Sequence, residues 1–254
     1  MTLFVEVSGR GPNLTLLHGW GLNGAVWNGV RDALAAHYML HIIDLPGHGL
    51  SHGAATLSLT AMADTVANAM PKSSHLLGWS LGGLVAQDLA RRHGKRVDKL
   101  VLVATTPRFL QSDDWPHAVS SAVLADFGKR LSVNYAATIK SFLALQVLNT
   151  PNIRDLVNEL QKAITSRGAT DLKALAAALD ILRTNDLRPY TSMLTQPALV
   201  IQGDHDALTP EPAARWMADH MPNARYTMIA HAAHAPFMSH RDAFLREVDT
   251  FLSI

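Results

Sequence analysis

A serine between two glycines, placed where a strand pattern gives way to a helix pattern, constrains this chain most. The run Gly78-Trp79-Ser80-Leu81-Gly82 follows the apolar residues 74–77 and precedes a helix-like stretch at residues 84–93. A tight strand-to-helix turn pushes a serine hydroxyl out over the end of a sheet, and glycine allows the chain to bend that sharply. The amides that open the following helix can hold a developing negative charge. The pattern therefore predicts that Ser80 is the nucleophile of an acyl-transfer reaction.

Length and composition exclude several other classes of protein. The 254 residues, 48% of them hydrophobic, suffice for one large domain or two small ones, and the net charge of +1 argues against general affinity for nucleic acid. We find no apolar run of about 18 residues, so no membrane span is expected. The first residues lack the basic and apolar segments of a secretion signal. The absence of cysteine excludes disulfides and a thiolate nucleophile. We expect a cytoplasmic protein that is a monomer.

Strand and helix patterns alternate over the first hundred residues and again after residue 198. Strands this apolar are typical of a parallel sheet covered by helices on both faces. Between residues 109 and 186 we find helical spacing only. The sequence therefore predicts an α/β fold with a mostly parallel central sheet and a helical lid insertion. The predicted strands are 14–17, 39–44, 74–77, 99–104, 198–203 and 226–229, and the predicted helices are 26–37, 59–70, 84–93, 119–131, 136–148, 153–166, 172–183, 213–220 and 243–252.

The same change of pattern divides the chain into three parts. Residues 1–108 are predicted to form the first part of the α/β core, residues 109–186 the lid, and residues 187–254 the second part of the core. Sequence repeats and low-complexity tracts are absent.

The second half supplies the base and the acid that a serine nucleophile needs. Asp206 lies just past the strand at 198–203, and His234 lies just past the last strand. The order Ser80, Asp206, His234 is the chain order of α/β-hydrolases, and parallel strands bring all three loops to one edge of the sheet. Asp204 is the alternative acid, although the first Asp of such a turn more often caps the turn. His231 is the alternative base.

An oxyanion hole needs two backbone N–H donors. Leu81, directly after the nucleophile, should supply one. The loop after the first core strand, His18-Gly19-Trp20-Gly21, should supply the other, and we assign it to Trp20. The alternative interpretation is that Trp20 is only an aromatic residue of the loop that covers the core.

The chain contains thirteen histidines, so a metal site has to be considered. His231 and His234 form an H-x-x-H pair, but no third ligand stands at a diagnostic spacing. We therefore predict no metal ion and no cofactor.

Several motifs together resemble one family, the pimeloyl-[acyl-carrier protein] methyl ester esterases of biotin biosynthesis. The resemblance covers essentially the whole chain, and the combination is much narrower than the Gly78–Gly82 motif alone. The segments that carry it are His18-Gly19-Trp20-Gly21-Leu22-Asn23 with Trp27, Asp44-Leu45-Pro46-Gly47, Gly78-Trp79-Ser80-Leu81-Gly82-Gly83-Leu84-Val85-Ala86, Phe142-Leu143-Ala144-Leu145-Gln146 and Ala232-Ala233-His234-Ala235-Pro236-Phe237.

The resemblance implies an α/β-hydrolase fold and hydrolysis of the methyl ester of a carrier-linked pimeloyl chain, with release of methanol. It implies that Phe142, Leu143, Ala144, Leu145 and Gln146 line the acyl channel. It also implies that Trp20, Ser80, Leu81 and His234 lie at the ester.

Members of the family use lid arginines to bind the carrier's phosphopantetheine arm. Arg154 matches one of these positions, whereas Ala137, Ser141 and Asn158 stand at the others. Residues 127–154 nevertheless contain four basic residues and no acidic one, and such a run can attract an acidic carrier protein. An ordinary solvated helix face would show the same charges.

Three other functions have to be weighed against the sequence. A carboxylesterase acting on small, short acyl esters would use the same Ser80, Asp206 and His234, and the missing arginines favour it. A binding protein without turnover would be expected to have lost one of these three residues. A carbon–carbon bond hydrolase shares the set, because a fold does not determine a function.

Overall fold

The computed structural model describes residues 2–52, 58–150, 152–168 and 171–253. A seven-stranded sheet forms the centre, with the strand order β1-β3-β2-β4-β5-β6-β7. Only β1 is antiparallel to its neighbour; the other five pairings are parallel. This confirms the predicted mostly parallel sheet. The strands are β1 (Val5–Gly9), β2 (Asn13–Leu17), β3 (Met39–Ile43), β4 (Ser74–Trp79), β5 (Val97–Val103), β6 (Ala198–Gly203) and β7 (Ala224–Ile229).

Ten α-helices lie within the described ranges, and none of them is both long and apolar enough to cross a membrane. Four of them, α4 to α7, stand between β5 and β6, within the predicted lid. The helices are α1 (Asn28–Ala35), α2 (Leu59–Ala69), α3 (Leu81–Arg92), α4 (Ser121–Val133), α5 (Tyr135–Gln146), α6 (Ile153–Ser166), α7 (Leu172–Thr184), α8 (Glu211–His220), α9 (Pro236–Ser239) and α10 (Arg241–Leu252).

The strand order explains why helices cover both faces of the sheet. The chain moves from β2 to β3 in one direction and then from β4 through β7 in the other. Because crossovers between parallel strands are right-handed, a reversal of direction places the connecting helices on opposite faces. Accordingly α1 packs with α9 and α10, whereas α2 packs with α3.

The sequence patterns predicted neither β1 nor the 3₁₀ turn that precedes α1. β1 is a short edge strand, and its burial alternates weakly, so it has no continuous apolar run to mark it. It is held by pairing with β3, where Val5 lies opposite Ile43. The predicted helix at 26–37 begins instead as a 3₁₀ turn, Gly24–Trp27, which the Asn23 side chain caps by accepting from the N–H of Ala25.

The lid is joined to the core by a buried ionic contact as well as by apolar packing. Arg167, just after α6, donates to Asp44 Oδ1 at 2.9 Å and also pairs with Glu6. Asp44 is fully buried and accepts from the backbone N–H groups of Gly24 and Leu50. One end of α6 is thereby held against the loops that follow β2 and β3.

Candidate active site

Ser80 occupies the tight turn between β4 and α3, as the sequence predicts. Its φ of 55° lies in the left-handed region, which a non-glycine residue adopts rarely and mostly where the surrounding structure enforces it. Gly78 and Gly82 are required because a side chain would not fit there, and not because of an unusual backbone angle, since neither has a positive φ. A Cβ on Gly78 would lie 2.4 Å from the carbonyl oxygen of Gly82, and one on Gly82 would lie 2.5 Å from that of Leu17.

His234 and Asp206 form a buried hydrogen-bonded pair beside this turn. His234 Nδ1 lies 2.8 Å from Asp206 Oδ2, and both side chains are almost fully buried. An ionised carboxylate can only accept, so Nδ1 carries the proton and Nε2 is left as an acceptor. This is the arrangement by which an acid fixes the tautomer of a catalytic base.

Asp206 is held in its ionised form by an unusually complete set of donors. Oδ1 accepts from the backbone N–H groups of Leu208 at 2.8 Å and Thr209 at 3.0 Å. Oδ2 accepts from the Thr209 hydroxyl at 2.6 Å and from Gln202 Nε2 at 2.9 Å, in addition to His234. Burial alone would raise the pKa of Asp206, but the charge of His234 and the hydrogen bonds from His234 and Thr209 outweigh it, so this pKa lies below its usual value.

Ser80 and His234 line the same cavity, although no hydrogen bond joins Ser80 Oγ to His234 among the described residues. Contacts of this kind are often loose without substrate and tighten in the reacting complex.

Two residues beside the turn, Trp20 and Leu81, have backbone N–H groups without a protein partner among the described residues. The position of a Cβ on Gly19 lies 3.3 Å from Ser80 Cβ, so the loop after β2 packs directly against the serine. Within the described ranges, the N–H groups of Trp20 and Leu81 donate to no other protein group, and both residues are buried. Leu81 is the first residue of α3, whose opening N–H groups have no partner within the helix. Two unused buried donors beside a serine are what an oxyanion hole requires.

The cavity above Ser80 has a volume of about 130 Å³ and is almost wholly apolar. Its floor comes from the core and its walls come from the lid helices α4, α5 and α7. Apart from Ser80, His234 and the indole of Trp20, its lining is aliphatic or aromatic: Phe109, Val119, Val123, Leu124, Phe127, Phe142, Leu145, Leu179, Leu182 and Leu208.

Comparison with known proteins agrees with this geometry. Residues 12–241 match the family model described as alpha/beta hydrolase fold. The chain belongs to the α/β-hydrolase family. Within this family it is 41% identical to the pimeloyl-[acyl-carrier protein] methyl ester esterase of Aeromonas hydrophila, over 99% of this chain and all of the relative. It is 40% identical to the protein of the same name from Chromobacterium violaceum, over 97% of this chain and 96% of the relative.

Solved α/β-hydrolase structures show the same fold at lower sequence identity. An esterase from Exiguobacterium antarcticum has a TM-score of 0.91 at 22% identity and covers 99% of this chain and 96% of its own. A bromoperoxidase from Bacillus anthracis has a TM-score of 0.89 at 21% identity and covers 99% and 95%. Their differing names show that this likeness concerns the fold alone.

The alternatives to the triad residues lie outside the cavity. Asp204 and His231 are both exposed, whereas Asp206 and His234 are buried. The loop after β6 therefore turns one of its two aspartates inward and the other toward solvent.

The segment predicted to line the acyl channel is divided by its helical geometry. Phe142 and Leu145, three residues apart on α5, line the cavity with Ser80. Leu143 is fully buried in the core, and Ala144 faces a separate groove that also contains Arg154. Gln146 is buried, and its carbonyl oxygen accepts from the N–H of Ala235 at 2.8 Å, next to His234.

Three residues that hold the site in place, Trp79, Gln202 and Thr209, were assigned no such function from the sequence. Trp79 Nε1 donates to the carbonyl oxygen of His234 at 2.7 Å. Gln202 and Thr209 hold Asp206, as described above. Gln202 carries a local signal, because a glutamine in an otherwise apolar, fully buried strand needs a polar partner.

Proposed function

We propose that this α/β-hydrolase is a serine carboxylesterase that hydrolyses the methyl ester of pimeloyl-[acyl-carrier protein] and releases methanol in biotin biosynthesis. The observation that carries the proposal is the buried Asp206–His234 pair beside Ser80 at the floor of an apolar cavity. The curated relatives at about 40% identity over the full chain supply the substrate class.

In the proposed mechanism Ser80 Oγ attacks the ester carbonyl carbon while His234 Nε2 takes the hydroxyl proton. The N–H groups of Trp20 and Leu81 hold the oxyanion. His234 then gives its proton to the leaving methoxide, methanol departs, and an acyl-enzyme remains. A water molecule, deprotonated by His234, attacks the acyl-enzyme and releases the free carboxylate and Ser80. Asp206 keeps His234 in the required tautomer throughout both steps.

The lining of the cavity fits an uncharged chain better than a charged one. A methylene chain capped by a methyl ester has no charge to desolvate, so apolar side chains such as Phe142 and Leu179 suit it. Hydrolysis creates a carboxylate in the same place, where burial without a cationic partner is unfavourable. The cavity therefore favours binding of the ester and departure of the acid.

Ser80→Ala tests the chemistry itself. We expect a folded protein whose kcat for ester hydrolysis falls by roughly 10⁶, as for removal of a triad nucleophile elsewhere. The circular dichroism spectrum should match that of the wild type. A folded variant with a rate near the wild type would disprove the assignment of Ser80.

The proposed carrier-binding surface is a groove of about 490 Å³ between α5 and α6, lined by Lys140 and Arg154 among others. Arg130, on α4, pairs with Asp126, so the predicted basic run is partly neutralised. In contrast, no carboxylate among the described residues lies within salt-bridge distance of Lys140 or Arg154. These two cations on one groove are the best candidates for attracting an acidic carrier.

Arg154→Glu tests whether the substrate is carrier-linked. We expect a higher KM for pimeloyl-[acyl-carrier protein] methyl ester with little change in kcat, because the contact is remote from the bond that breaks. The effect should shrink as salt rises past about 0.15 M, where the Debye length falls below roughly 8 Å. The measurement is kcat/KM for this substrate and for a small uncharged ester, at low and high salt.

Lys173→Glu is the matched control, since it makes the same charge change at an exposed position on α7. It should leave both substrates nearly unaffected. If Arg154→Glu changed the two substrates equally, a carboxylesterase for small esters would be the better description. Ala137, Ser141 and Asn158, in place of the family's arginines, are the observation that favours that second function.

A further inference from the structure

Three metal-binding side chains meet on the surface, outside the catalytic cavity. Asp204, His205 and His231 are all exposed, and one ligand atom of each lies within 4.8 Å of the others. The two imidazole rings have their centroids 5.5 Å apart. From the sequence, His231 is the alternative base and the partner of His234 in an H-x-x-H pair, but His234 contacts Asp206 instead.

The sheet itself builds this cluster. β6 and β7 are parallel neighbours, and Gly203 at the end of one pairs with Ile229 at the end of the other. His205 and His231 each stand two residues beyond that pair. The N–H of His205 donates to the carbonyl oxygen of Ala232 at 2.9 Å, so the two loops are fixed to one another at this point.

We propose that Asp204, His205 and His231 form a binding site for one divalent transition-metal ion of the Zn²⁺ type. Two imidazoles and a carboxylate are ligands that Zn²⁺ accepts, with water completing the tetrahedron. At metal–ligand distances of about 2.1 Å, tetrahedral ligand atoms lie roughly 3.3 Å apart. Rotamer changes can close the remaining distance, because all three residues are exposed.

The site joins the two loops that carry the catalytic acid and base. His205 directly precedes Asp206, and His231 lies one short turn before His234. A bound ion therefore links both loops and should stabilise the folded protein, since it binds the assembled cluster better than the unfolded chain. This inference does not depend on the identity of the ester substrate.

Calorimetric titration with Zn²⁺ tests the site on the full-length chain, without a polyhistidine tag and after treatment with chelator. We expect saturation at one ion per chain and a rise in melting temperature with Zn²⁺. His205→Ala and His231→Asn should each weaken binding by at least about tenfold. Even the loss of a residue that only orients a metal ligand typically weakens binding by roughly tenfold or more, and these variants remove a ligand itself. Asn is chosen because His231 has a φ of 63°, which Asn tolerates better than Ala.

His220→Ala is the control, because His220 is another exposed histidine, stacked on Trp216 and remote from the cluster in sequence. It should bind Zn²⁺ like the wild type. The proposal is overturned if the wild type shows no saturable binding, or if both cluster variants bind as tightly as the wild type. Melting curves without metal establish that each variant is folded.

Discussion

At the scale of single residues, two aspartates on one loop have opposite environments. Asp206 is turned inward, where five donors surround its carboxylate, whereas Asp204 faces solvent. From the sequence, turn chemistry and the family resemblance favour Asp206 over Asp204. Burial and the contact with His234 now give a physical reason to assign the catalytic acid to Asp206.

Asp206→Asn should lower kcat by roughly 10⁴, because His234 loses the partner that fixes its tautomer. The amide nitrogen would also face existing donors, so a loss of thermal stability should accompany the loss of rate. Asp204→Asn should lower kcat far less. The check is kcat with a chromogenic ester, together with the melting temperature of each variant; the reverse ranking of the two rates would make Asp204 the acid.

At the scale of elements, Trp20 connects the loop after β2 to three lid helices. Its Nε1 donates to the carbonyl oxygen of Leu175 on α7 at 3.0 Å. Its ring meets Phe127 of α4 and Phe142 of α5 edge-on, at centroid distances of 5.3 and 5.2 Å. The lid therefore helps to position the residue whose backbone N–H is one of the two proposed oxyanion donors.

Trp20→Phe keeps an aromatic ring but removes the hydrogen bond to α7. We expect kcat to fall, though by less than the roughly 10²–10³ that follows removal of an oxyanion donor outright, since the backbone N–H remains. Trp115→Phe is the matched control, because Trp115 Nε1 also donates to a backbone carbonyl, that of Arg108 at 2.9 Å, in a separate cluster. Equal rates for the two variants would show that the contact with α7 has no role in positioning the loop.

At the scale of the whole molecule, two buried histidines, His18 and His48, should make the stability of the folded protein depend on pH. Burial lowers the pKa of His18 to about 4 and that of His48 to about 3. The contacts of His18 require its neutral form. Its Nδ1 donates to the carbonyl oxygen of Gly19, and its Nε2 accepts from the N–H of Leu45 at 2.9 Å. Protonation of His18 would break the second of these bonds.

The stability of the protein should therefore decrease as the pH falls below about 6.5. In this window the unfolded chain binds protons at both histidines while the folded chain does not, so stability is fully present above 6.5 and is lost as pH decreases toward 4. Each histidine contributes a slope that approaches about 1.4 kcal/mol per pH unit once the pH is roughly one unit below 6.5. Burial lowers the pKa of His41, His75 and His240 as well, which adds in the same direction.

Urea unfolding at a series of pH values between 7.5 and 5 measures this slope. His48→Gln should reduce the slope by about 1.4 kcal/mol per pH unit, whatever its effect on stability at neutral pH. A slope that is the same in the variant would mean that folding does not lower the pKa of His48.

Local patterns were sufficient for much of the fold. Helix α6 was predicted with the bounds Ile153–Ser166 that the structure shows, because apolar spacing and flanking residues act within a few turns. The turn at Ser80 was likewise predictable, since a strand, two glycines and a helix are all adjacent in sequence. The meeting of the loops that carry Ser80, Asp206 and His234 was also predictable, because the carboxyl ends of parallel strands share one edge of the sheet.

Contacts between distant residues needed the assembled sheet. The pairing of β1 with β3, the contact of Trp20 with Leu175 and the meeting of His205 with His231 all depend on how the crossovers place the strands. Each contact joins residues that are far apart in sequence, and the sequence around one residue does not indicate its partner. The free energy of such a contact comes from burial and hydrogen bonding in the folded protein. The loop after β6 illustrates the difference: its sequence offers two aspartates, and burial against His234 selects one.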